Sequence, residues 1–208
     1  MKKMIVIIVI FLMLCSACKD ENKMKDQILN LNDLPTIEIK SDDTFTEKHV
    51  DHYIEAFIKT QPKYLLKNVN KIVICNNKQF KKYAKGKSSI AFSNPNNMNI
   101  YSKSKIYKEA LTHELIHILD YTKGYHCYSN DVSFQTLYET YKGTFHLIED
   151  KENEYGENKL KDYDNYFNSM QEEFFAETAQ LYVNNPNYLK SVCEPIYDYL
   201  DNLFQEII

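Results

Sequence analysis

The 208-residue chain contains no arginine and no tryptophan, and only four glycines. Without arginine there is no planar guanidinium fork, the group best suited to grip a phosphate or carboxylate with two parallel hydrogen bonds. Four scattered glycines furnish no glycine-rich phosphate loop. Both absences argue against a nucleotide site. Nor is there a long basic run: the net charge is −4, with both signs spread along the chain, so nucleic acid is not an expected partner. Long apolar runs are missing except at the start. There, Met4 to Leu14 falls short of the ~20 residues that a permanent membrane span needs.

Lys2 and Lys3, that apolar run and a set of small residues follow the order of a secretory signal. Ser16-Ala17-Cys18 resembles the lipobox of bacterial lipoproteins, although Leu14 sits one place early and Cys15 stands where leucine is commonest. The resemblance implies that residues 1–18 form the signal and that Cys18 is the lipidated first residue of the mature chain. The protein is then expected on the extracellular face of the cell membrane, or secreted if the lipobox is not used. Residues 19–35 read as a polar tether, and 36–208 as one domain large enough for a sizeable core. The three remaining cysteines, Cys75, Cys127 and Cys193, allow at most one internal disulfide.

Within the domain, Val50, Tyr53, Ile54, Phe57 and Ile58 recur at helical spacing and predict a helix over 44–60. NKIVICNN, a β-branched run between asparagines, predicts a buried strand. KQFKKYAKGK reads as a short helix ended by Gly86, and SSIAFSNPNNMNIYS as two strands around the turn NPNN. The segment from Ile90 to Tyr101 is a candidate edge strand along a cleft. Helices are predicted around LTHELIHILD and near 131–142, followed by a polar stretch over 149–165. Two final helices are divided by Pro186, with Pro195 a point of kinking. A few strands followed mostly by helices gives an α+β fold, with a small sheet-containing N-terminal lobe and a mostly helical C-terminal lobe.

LTHELIHILD carries the chemistry. At about 100° per residue, His113 and His117 lie about 40° apart on one helix face, with Glu114 on the adjoining flank. Leu111, Leu115, Ile118 and Leu119 take the opposite side. Two imidazoles at this spacing can share one zinc, and the glutamate between them can reach a water beside it. A catalytic site needs a third protein ligand and one open position. QEEFFAETAQLY offers Glu172, Glu173 and Glu177, of which Glu173 and Glu177 share a face away from Phe174 and Phe175.

HELIH followed by EEFFAE resembles the zincins of the anthrax lethal factor type, which include the bacterial Pro-Pro endopeptidases. The resemblance spans roughly residues 85–183 and is strongest in the two motif helices. It implies a zinc metalloendopeptidase of the gluzincin type with one Zn2+ per chain, held by His113, His117 and Glu173. It further implies that Glu114 is the general base, and that Glu177 accepts the free ring N–H of a ligand histidine. A tyrosine seven residues before the third ligand, here Tyr166, stabilises the oxyanion in that family. Tyr155 and Tyr163 are then expected to tolerate replacement by phenylalanine. Ile116 stands where the family often has glycine. Asp120, three residues after His117, is either a further acceptor for a ligand histidine or an exposed helix-end residue.

The function expected is hydrolysis of extracellular or surface proteins by a lipid-anchored zinc endopeptidase that binds its peptide substrate in extended form. The alternative is a surface-binding lipoprotein whose metal site is structural or non-catalytic. Metal content and the effect of changing Glu114 separate the two.

Overall fold

The computed structural model describes residues 26–32, 34–40, 47–85, 89–103, 108–147 and 157–208. Five strands form one mixed sheet in the order β1-β2-β3-β5-β4, comprising β1 (Gln27–Leu29), β2 (Thr36–Lys40), β3 (Lys71–Cys75), β4 (Ala91–Asn94) and β5 (Asn99–Lys103). The three inner strands run parallel, and β1 and β4 close the edges antiparallel. The α+β architecture expected from the sequence is thus present.

The middle strand shows why its sequence lacks alternation. Ile72 and Ile74 point into the main core with Ile37, Ile39 and Ile100, while Val73 and Cys75 pack on the opposite face against Phe80 and Ala84. A strand covered on both faces is apolar throughout. The helix on that second face is α3 (Asn77–Tyr83), whose N-terminus is capped by Asn76 accepting from Gln79 N–H. Gly86, expected to end it, lies outside the described residues.

Parallel strands require a crossover, and β2 reaches β3 through α1 (Glu47–Tyr53), a π-type turn at Ile54–Ile58, and α2 (Lys63–Leu66). The remaining helices are α4 (Lys108–Asp120), α5 (Val132–Tyr141), α6 (Glu157–Asn168), α7 (Gln171–Asn184), α8 (Pro186–Val192) and α9 (Glu194–Ile207). Helix α4 packs between α7 and edge strand β4. Its fully buried Leu111, Leu115, Ile116 and Ile118 meet a core that includes Phe134, Phe174, Phe175 and Leu200.

The structure departs from the sequence reading in three places. The sheet begins inside the segment read as a tether, because β1 pairs with β2 at Gln27–Leu29. Part of the polar stretch over 149–165 belongs to helix α6. Pro195 sits in the first turn of α9, where its missing N–H costs nothing, so it opens a third C-terminal helix instead of kinking the second. Within the limit of at most one internal disulfide, Cys75, Cys127 and Cys193 are all free thiols. The signal and lipobox, residues 1–18, lie outside the described residues, among which no helix is long and apolar enough to cross a membrane.

Candidate metal centre

Two helices build the site. In α4 the leucine and isoleucine face fixes the helix against the core and leaves His113 and His117 on the side turned to α7, both mostly buried. In α7, Phe174, Phe175, Ala176 and Ala179 are fully buried and orient the helix so that Glu173 and Glu177 face the two imidazoles. These three ligand atoms converge: His113 Nε2 lies 3.0 Å from His117 Nε2 and 3.2 Å from Glu173 Oε2, and His117 Nε2 is 3.5 Å from the same oxygen. No other described group of histidine, cysteine or acidic side chains comes together in this way.

The residues fit a metal ion on two grounds. Around a tetrahedral ion with ligand distances of about 2.0–2.2 Å, neighbouring ligand atoms sit about 3.3–3.6 Å apart, close to the spacing found. The second ground is the balance of donors. Two imidazole nitrogens face each other and a carboxylate oxygen, an acceptor-rich arrangement that is completed by a cation.

Behind the triangle, His113 Nδ1 donates to Glu177 Oε2 at 2.9 Å, which makes Nε2 the nitrogen turned inward to the other two ligand atoms. Glu177 is itself almost wholly buried, and its other oxygen accepts from the Tyr163 hydroxyl. Burial alone would disfavour a charged His113. Hydrogen bonds to Glu173 and Glu177, with the charges of Glu177 and Glu114, outweigh it and raise the pKa to about 10, so the centre favours a positive charge at Nε2, either a proton or a metal ion in its place. Burial likewise opposes ionisation of Glu173, but hydrogen bonds from His113 and His117 hold it well below the usual carboxylate range.

Glu114 is half-buried on the flank of α4, close enough for its charge to act on both His113 and Tyr166. Tyr166 reaches the site from α6. About half of it is exposed, yet desolvation of its hydroxyl, then the charges of Glu173 and Glu114 and a hydrogen bond with Glu173, push its pKa up to about 12. It therefore keeps its proton at neutral pH and can donate. Glu172 is half-buried beside Glu173 but does not join the converging atoms.

Asp120 is placed differently from either sequence expectation. It is fully buried, not an exposed helix end, and its four hydrogen bonds go to the following loop, none to His113 or His117. Oδ1 accepts from the N–H groups of Tyr128 and Ser129, and Oδ2 from Ser129 Oγ and His126 Nδ1.

Tyr163 is the residue that the sequence reading missed. It was expected to tolerate loss of its hydroxyl, but that hydroxyl is bonded to Glu177. Only a helix over 157–168 would have revealed it, since Tyr163, Tyr166 and Phe167 then share one face. Tyr155 lies outside the described residues.

A hydrophobic core does not need three ligand atoms turned on one another; a metal-dependent peptidase does. The chain belongs to the glucose-regulated metallo-peptidase M90 family, whose sequence profile matches residues 24–205. No curated protein matches it. It is therefore a metallopeptidase, a class that implies a bound metal and a peptide substrate.

Proposed function

We propose that the protein is a zinc-dependent endopeptidase of the gluzincin type, akin to the lethal factor-type zincins, acting on extracellular or surface proteins. The observation that carries this reading is the convergence of His113, His117 and Glu173, with Glu177 fixed behind the first histidine. His113 Nε2, His117 Nε2 and a Glu173 carboxylate oxygen would hold the ion. When bound, zinc supplies Lewis-acid chemistry, lowering the pKa of water to about 7 and polarising a carbonyl.

The chain's own residues do the rest. Glu114, half-buried on the flank of α4, takes the proton of the attacking water and later delivers it to the leaving amine. Tyr166 donates its retained proton in a hydrogen bond to the oxygen on which negative charge develops. Strand β4 ends the sheet and packs beside α4, so an extended peptide can pair with its outer edge and pass along the motif helix. A sheet edge accepts chain on both sides of the scissile bond, which favours internal cleavage.

Glu114→Gln tests the assignment. It should bind zinc as the wild type does and lose peptidase activity on a peptide library. Retained activity would remove Glu114 from the mechanism.

The proposal includes anchoring through Cys18, supported by the signal-like order of residues 1–18. Cys18→Ser should move the protein out of the membrane fraction, because a diacyl chain supplies membrane affinity that the polar segment after it lacks. Equal partitioning of mutant and wild type would refute the anchor.

A further inference from the structure

Helix α6 enters the centre by two routes besides Tyr166. The Tyr163 hydroxyl donates to Glu177 Oε1, and Glu177 Oε2 accepts from His113 Nδ1 at 2.9 Å. In parallel, the Tyr163 ring lies against Phe167 at 4.3 Å between centroids, and Phe167 meets the His113 ring edge-on at 5.3 Å and 71°. Both routes end on the same imidazole. They join α6, α7 and α4 at the polar side of their packing.

We propose that Tyr163 is a positioning residue for the metal centre, acting on His113 through Glu177. The proposal rests on the zinc-site reading above. Its physical basis is the burial of Glu177, which is only 4% exposed. A buried carboxylate needs its oxygens bonded. One oxygen holds His113, and the other is held by Tyr163. Removing the phenol O–H leaves Oε1 without that donor in a site where water has little access. The carboxylate then reorients to find another donor, which loosens its grip on His113 Nδ1. The His113 ring loses its fixed tautomer and angle, and its Nε2 becomes a poorer ligand. Tyr163 touches neither the metal nor the substrate in this scheme.

Tyr163→Phe keeps the ring on Phe167 and removes only the donor. Zinc affinity, measured by competition with a chromogenic chelator, should fall about 10-fold, in line with the loss of partners that support a metal ligand. In a Glu177→Ala background the same substitution should change affinity less than twofold, because the group through which it acts is gone. The unfolding temperature of the metal-free protein should fall by only a few degrees, the cost of one buried acceptor left without its donor. Two results would overturn the proposal: wild-type affinity in Tyr163→Phe, or an equal loss in the presence and absence of Glu177. A wild-type protein that binds no zinc would instead sink the metal reading on which the proposal stands.

Discussion

Helix α4 runs between two buried clusters of histidine and carboxylate, one turn apart and built on opposite principles. At its end, Asp120 collects Tyr128 N–H at 2.8 Å, Ser129 N–H at 2.9 Å, Ser129 Oγ at 2.6 Å and His126 Nδ1 at 3.1 Å. All of these partners lie within nine positions of it along the chain. His126 in turn accepts the Tyr121 hydroxyl on Nε2 at 3.0 Å, and the loop tolerates a left-handed backbone at His126 (φ 49°) to bring this about. Donors match acceptors, and the cluster is closed. One turn earlier, His113 and His117 turn their Nε2 atoms on one another and on a carboxylate from α7 that lies 60 positions beyond His113.

The same residue types therefore mean different things according to where their hydrogen bonds go. A buried carboxylate with four local donors is holding a loop in shape. Imidazoles and carboxylates with their acceptors aimed at one point are waiting for a cation. Composition does not distinguish these clusters; donor balance and chain separation do.

Changes in the open cluster should strike function and spare the fold, and the sharpest is Tyr166→Phe. If its hydroxyl serves the developing oxyanion, kcat should fall about 100- to 1,000-fold. KM, zinc content and thermal stability should stay near wild type. A wild-type rate in this variant would place the oxyanion donor elsewhere. Changes in the closed cluster should do the reverse. Asp120→Asn keeps one oxygen for the N–H groups of Tyr128 and Ser129 but turns an NH2 donor on the Ser129 hydroxyl and His126 Nδ1, and should cost about 2 kcal/mol in denaturant-induced unfolding. Its zinc stoichiometry should be unchanged. If it loses zinc instead, Asp120 supports the metal site and the contrast between the clusters fails.

Much of the centre was legible because it depends on local periodicity. HELIH and EEFFAE each lie on a single helix, where spacing alone fixes which side chains share a face. Pairing the two helices required only that both faces be polar opposite a strong apolar side. The resemblance to lethal factor-type zincins then singled out Glu173, Glu177 and Tyr166. What was hidden depended on tertiary structure. Strand β1 is three residues long and owes its conformation to pairing with β2. Helix α6 carries mostly polar residues, so its aromatic face emerges only once α7 and α4 are there to receive it. Tyr163 was hidden with it. The partners of Asp120 come from a loop whose course no sequence pattern predicts, and so its place as the anchor of that loop was not visible.

The claim at the centre of this account is that α4 and α7 form a metal site which the Asp120 cluster does not share. Zinc content answers it directly, measured by mass spectrometry on protein stripped with chelator, reloaded and desalted, for the wild type, Glu173→Ala and Asp120→Asn side by side. The wild type and Asp120→Asn should each carry about one zinc per chain, and Glu173→Ala should carry none in stoichiometric amount, as expected of a three-ligand site. A wild type that takes up no zinc, or a Glu173→Ala variant that keeps it, would contradict the account.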